Sequence, residues 1–197
     1  MKDERFVIAG NGLKLMFIGT ILGMLSFIPV IGGILAIVGW VISLVGLAKT
    51  TGAAPGYKNA IIMLVVQIVV TIIVGVMASM ALGGAILGSG AAAVGGLAGV
   101  TILSIVSQVL AFLQTYFICT ATSGLLREIG AEDVAVKGDM VWKLNALCYL
   151  IAIVVLILTM IVAPLAAVLD VVSVIVSLVA DVLFVIFLYQ SQRVMLA

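Results

Sequence analysis

Residues 59–82 read NAIIMLVVQIVVTIIVGVMASMAL, a run of 24 positions without a single charge. At 1.5 Å of rise per residue a helix of that length covers about 36 Å, enough for a hydrocarbon layer about 30 Å thick. A helix that is apolar on every side has no face for water. The run is therefore read as a transmembrane span, and it sets the template for the rest of the chain.

Five further stretches fit or nearly fit that template: 13–28, 33–48, 101–126, 141–163 and 165–189. The first two are short and share the turn Pro29-Val-Ile-Gly-Gly33, which suggests a tight pair that thins the bilayer or dips into it. Ala163-Pro164 separates the last two. Of the 197 residues, 65% are hydrophobic and 9% charged, against about 25% charged in soluble domains. So few charges cannot cover a water-facing fold, so lipid must surround most of this one. A net charge of +1 argues against nucleic acid as a partner.

The basic residues fix an expected orientation. They are Lys2, Arg5, Lys14, Lys49, Lys58, Arg127, Lys137, Lys143 and Arg193. With six spans, all fall at the N-terminus, the second loop, the fourth loop or the C-terminus. Positive charge stays cytoplasmic. The expected architecture is thus an all-α, polytopic transmembrane bundle with both termini cytoplasmic. It forms one domain over residues 1–197, with three helical hairpins at roughly 12–50, 56–126 and 138–192. Met1-Lys-Asp-Glu-Arg5 leads into an apolar run that continues toward the second span, so it reads as a retained span, not a cleaved signal. Each hairpin opens on a glycine followed by a lysine (Gly12/Lys14, Gly56/Lys58, Gly138/Lys143) and closes on small or polar residues, a faint internal repeat. The Gly/Ala-rich run 83–100 carries no charge and admits three readings: a loop, a re-entrant segment, or extra turns of its neighbours.

No catalytic constellation is visible. The chain has no histidine, which removes the commonest general base and metal ligand together. Cys119 and Cys148 belong to no CxxC pair and read as small reduced residues. Neither a phosphate-binding lysine loop nor HExxH occurs, and the aspartates stand too far apart to hold a magnesium–phosphate group. No enzyme activity, cofactor or metal is expected.

Helix faces carry what signal remains. Leucine gains nothing by leaving lipid, so membrane helices associate through small and polar residues. Such a stripe runs through Gly32, Ala36, Gly39, Ser43 and Gly46, and others through Gly19/Gly23/Ser26, Gln67/Thr71/Gly75/Ser79 and Asn145/Cys148/Ala152. The sixth span differs. Asp170, Ser173, Ser177 and Asp181 share one face, because eleven residues make almost three whole turns. An aspartate within the bilayer costs about 2.5–3.5 kcal/mol on insertion scales and normally faces a bundle interior or water. Asp170 lies near the outer headgroups. Asp181 lies about 6 Å inward of the span centre. Three readings remain: a snorkelling Lys14 or Lys143 neutralises it, it belongs to a solute or proton site that Gln67 and Gln108 help to line, or it is an end-of-span aspartate that reaches cytoplasmic water.

The segments Ile28-Pro-Val-Ile-Gly-Gly33, Leu44-Val-Gly-Leu-Ala-Lys49 and Gly56-Tyr-Lys-Asn-Ala60 resemble a loose group of small prokaryotic multi-pass membrane proteins. In that group a Pro/Gly-turned hairpin ends in Gly-Leu-x-Lys and is followed by a short amphipathic stretch. The resemblance covers about the first 80 residues, implies a prokaryotic cytoplasmic membrane, and carries over no activity and no functional residue. Two functions follow from the residues. One is permeation or carriage of a small solute, ion or proton through a polar bundle interior. The other is a non-catalytic subunit that assembles with itself or with another membrane protein. A water-accessible cavity at Asp181 favours the first; an enclosing lysine favours the second.

Overall fold

The computed structural model describes residues 4–29, 31–86, 90–161 and 166–197. Among them the fold is all-helical: α1 Glu4–Met24, a 3-10 turn Leu25–Phe27, α2 Gly32–Thr50, α3 Pro55–Ile86, α4 Gly90–Glu128, α5 Glu132–Ile161 and α6 Ala166–Leu196. All six helices are long and apolar enough to cross a membrane. Several outrun the apolar stretches that announce them. α3 reaches Ile86 and α4 starts at Gly90, so the described part of the Gly/Ala run is extra helical turns. The Pro164 turn lies outside the described residues. α5 begins at Glu132, where Glu132 and Asp133 meet the positive end of the helix dipole. Just before it, α4 stops at Gly130, whose φ of 76° suits glycine. Gly130 N–H donates to the Arg127 carbonyl and Ala131 N–H to that of Leu126, the paired bonds of a Schellman cap.

The helices form a ring in chain order. α3 packs most extensively on α4 and α1 on α2, followed by α4 on α5, α1 on α6 and α5 on α6. Only α2 against α3 is thin. The α1–α2 seam explains its own closeness. Gly12 faces Gly46 and Gly19 faces Gly39, seven residues apart on both helices. Each glycine's missing side chain would point at the other's backbone carbonyl. A methyl on Gly12 would sit 2.7 Å from the Gly46 oxygen, and one on Gly46 2.6 Å from that of Gly12. The hydrogens in those places form reciprocal Cα–H···O contacts, each worth about 0.5–1 kcal/mol. Gly39 and Gly46 are therefore buried against α1, as the stripe's composition suggests, with Ser43 half-buried between them.

The core lies in one half of the bundle. This half holds Glu4, Ala197, the connections at 51–54 and 129–131, and every described basic residue. Tyr57, Phe187, Leu13, Leu47, Leu126 and Leu188 are all fully buried there. Thr122 Oγ1 donates to the Ile118 carbonyl at 2.7 Å, so the 2.8 Å contact with Tyr57 has the tyrosine O–H as donor. Ser123 donates to the Ala135 carbonyl at 3.0 Å and ties α4 to α5. The three opening glycines of the sequence repeat all lie at helix contacts here: Gly12 on Thr50, Gly56 on Ala121, and Gly138 on Ser123 and Phe187. At the rim, Arg127 bridges Asp139 and Glu132, and Arg5 reaches Glu128 at 3.4 Å.

Candidate functional site

Above this core the ring opens into a central cavity of about 460 Å³. Every helix contributes to its lining: Thr20 from α1, Ser43 from α2, Gln67 and Thr71 from α3, Gln114 and Thr115 from α4, Tyr149 from α5 and Phe184 from α6. Met16, Leu47, Leu64 and Ile118 line it as well, and all four are buried in the core, so the cavity is floored on the charged side. Trp40 and Ile72 stand on either side of the thin α2–α3 contact and are exposed. The hydroxyls of Thr20, Thr71 and Thr115 each donate to a carbonyl one turn back, which leaves their lone pairs for the cavity. The side-chain amides of Gln67 and Gln114 bond to no other described residue. No charged side chain lines this space.

A second cavity, of about 160 Å³, sits between α4, α5 and α6. Asp181 and Ser177 come from α6, Gln108 from α4, and Asn145, Cys148 and Tyr149 from α5. Asn145 is 5% exposed and its Nδ2 donates to the Val141 carbonyl at 3.1 Å. Asp181 is exposed and marks the mouth; Asn145 marks the base. Tyr149 is a wall of both cavities, its ring edge-on to Phe112 at 6.2 Å and its hydroxyl bonded to Thr115.

The structure therefore brings Asp181, Ser177 and Gln108 together. It puts Gln67 in the other cavity, because α3 lies on the far side of α4 from α6. Asp170 and Ser173 fall within α6, but their side chains lie outside the described set. The expected charge partners are elsewhere. Lys14 lines a shallow surface pocket with Lys49, and the Lys143 amine stands 5.7 Å over the neighbouring Trp142 ring. Among the described residues no basic group pairs with Asp181. Lys143 sits on α5 beside Trp142, and Lys14 sits on α1, outside the α4–α5–α6 cleft; neither stem enters it. Asn145 and Cys148 appear in the sequence as a packing stripe, and nothing there marks them as neighbours of Asp181. Gln114 and Tyr149 stand off every stripe; a polar group in mid-span was their only signal.

Among the described residues no group of three metal-ligating side chains occurs. Comparison with family models, with curated proteins and with solved structures yields no match. Among the described residues, fold and site define a bundle of six helices long and apolar enough to cross a membrane, around a cavity lined by both polar and apolar side chains.

Proposed function

We propose that this chain is a multi-pass protein of a prokaryotic cytoplasmic membrane that carries a small, neutral, hydrogen-bonding solute through its bundle interior. Its spans pair as three hairpins, with both termini in the cytoplasm. One observation carries the reading: a cavity of about 460 Å³ lined by all six helices, with two mid-span glutamine side-chain amides that bond to no described residue. Polar side chains are costly at that depth unless something bonds to them. Ligand pockets commonly run from about 300 to 1,000 Å³. Amides and hydroxyls without charge suit a neutral polyol or amide better than an ion. The buried floor at Met16, Leu47, Leu64 and Ile118 favours a carrier that alternates over a standing pore. The orientation rests on the described basic residues, which gather in one half. The assembly reading loses part of its support at α1 and α2, where Gly12, Gly19, Gly39 and Gly46 are engaged within the chain.

Purified protein in proteoliposomes should speed the flux of one or more members of a panel of small neutral polyols and amides. Gln67→Leu and Gln114→Leu should each lower that flux about tenfold or more, the effect of losing one to two hydrogen bonds to the solute. A cysteine at Gly130 should label only from the cytoplasmic side of intact cells. Flux indifferent to both glutamine variants sinks the carrier reading. External labelling at residue 130 sinks the orientation.

A further inference from the structure

The cavity at Asp181 is a separate problem in chemistry. It contains one formal negative charge, no basic partner among the described residues, and oxygen-bearing groups from three helices. Asp181 is exposed at the mouth of the cavity but lies within the apolar span Val174–Leu196, where a carboxylate without a counter-charge is costly. Asn145 shows what faces it. Its Nδ2 is committed to the Val141 carbonyl, so its Oδ1 is the free end of a side chain that is 5% exposed. Gln108 brings an amide of adjustable orientation and Ser177 a hydroxyl. An anion is repelled by Asp181. A zinc-type ion prefers nitrogen and sulfur ligands, and the cavity has a lone thiol and no histidine. Calcium and magnesium sites draw on several carboxylates or on substrate phosphates, and here there is one carboxylate. A hard ion of single charge matches the donors.

We propose that the Asp181 cavity binds one alkali-metal cation, sodium or potassium, through the Asp181 carboxylate and the side-chain oxygens of Asn145, Gln108 and Ser177. At about 30 Å³ per water, a volume of about 160 Å³ leaves room for the ion with a few of its own waters. This assignment stands whether or not the central cavity carries a solute. If both hold, Tyr149 links them, since it walls both spaces.

Thermal unfolding of the purified full chain in detergent tests this site without any flux assay. The titrants are NaCl, KCl and CaCl₂, each replacing choline chloride at constant ionic strength. Sodium or potassium should raise the midpoint saturably, and radioactive sodium or rubidium should bind at one ion per chain. Asp181→Asn should weaken the half-saturating concentration by at least about tenfold, as loss of a charged ligand implies. Asn145→Asp and Ser177→Ala keep the assignment falsifiable if Asp181→Asn misfolds: the first should tighten binding or shift it toward calcium, the second should weaken it severalfold. Lys14→Gln, distant from the cavity, should respond as the parent does. A midpoint indifferent to both alkali cations overturns the proposal. So does a response that Asp181→Asn leaves intact, that only calcium produces in the parent chain, or that follows pH alone.

Discussion

The half of the bundle that holds the chain ends and the half away from them both draw on glycine and large apolar residues, and pack them differently. In the first, Tyr57, Leu13, Leu47 and Phe187 are wholly covered, and Gly12, Gly46, Gly56 and Gly138 all sit against a neighbouring helix. In the second, Ile72, Val76, Met80, Leu82, Ile102 and Val174 are exposed, and Gly23, Gly33, Gly75 and Gly83 meet nothing within 4 Å. Glycine in a membrane helix thus has two uses here. Where a glycine meets a neighbouring helix it allows close packing; where it meets nothing, the helix merely presents a smooth surface. The two cavities lie on the boundary between these halves. The packed half can serve as the fixed frame, and motion that admits a solute belongs to the loose half, where few contacts must break.

The largest expected effect breaks the packed half at its closest approach. Gly39→Leu puts a side chain where the Gly19 carbonyl and the Gly23 amide already stand. Neither backbone can yield without separating α1 from α2, so the loss should be about 3 kcal/mol or more, at the upper end of overpacking. Val38→Leu, one position away on an exposed face, should change stability by less than about 0.5 kcal/mol. Unfolding in mixed micelles, followed by circular dichroism, measures both. Equal tolerance would mean that the seam is not a contact at all.

Next in size is Tyr57. Its side chain is fully buried, and its hydroxyl donates to Thr122. Tyr57→Ala should cost about 3–5 kcal/mol, mostly as cavity. Tyr57→Phe should cost about 1 kcal/mol, because Thr122 keeps its own bond to the Ile118 carbonyl and is not stranded. The gap between the two variants sharpens the comparison: it separates packing from hydrogen bonding in the frame. A Phe variant as damaged as the Ala variant would show a polar network holding the frame, not volume.

Much of this frame is legible in the sequence because lipid simplifies the rules. Uncharged runs such as 59–82 announce helices, and Gly39-x6-Gly46 announces a seam, since only small residues let backbones meet. The ends of the helices are not legible. Residues 90–100 leave loop, re-entrant segment and extra helical turns open because glycine weakens a helix in water; in lipid the unsatisfied amides of a loop cost more, and the extra turns form. Residues 132–140 look like a cytoplasmic loop because they are charged, yet Gly130 caps one helix and a new one starts at once. For the site, the four-residue spacing from Ser177 to Asp181 puts both on the cavity face of α6, while the Asp170 and Ser173 side chains lie outside the described set. Which helices meet that face depends on ring order. α4 and α5 border it, so Gln108 and Asn145 reach Asp181 and Gln67 does not.

The smallest expected effect tests the loose half. Gly75 lies on α3, and a Cβ built there meets nothing within 4 Å, so Gly75→Ala adds a methyl to open space. Alanine also has the better helix propensity by about 0.5–1 kcal/mol in water. Part of that advantage disappears in lipid, where both residues are held helical by the need to satisfy their amides. The expected shift is therefore between zero and a gain of about 0.5 kcal/mol, and Gly75→Leu should be tolerated equally, because its side chain points away from every described neighbour. Measured beside Gly39→Leu in the same micelles, the pair isolates contact from propensity, since residue type and helix context match and only the neighbours differ. If Gly75→Leu proved as costly as Gly39→Leu, the surface of α3 could not be free. A second copy of the chain or another membrane helix would have to pack there, and the loose half would be an assembly face, not a moving part.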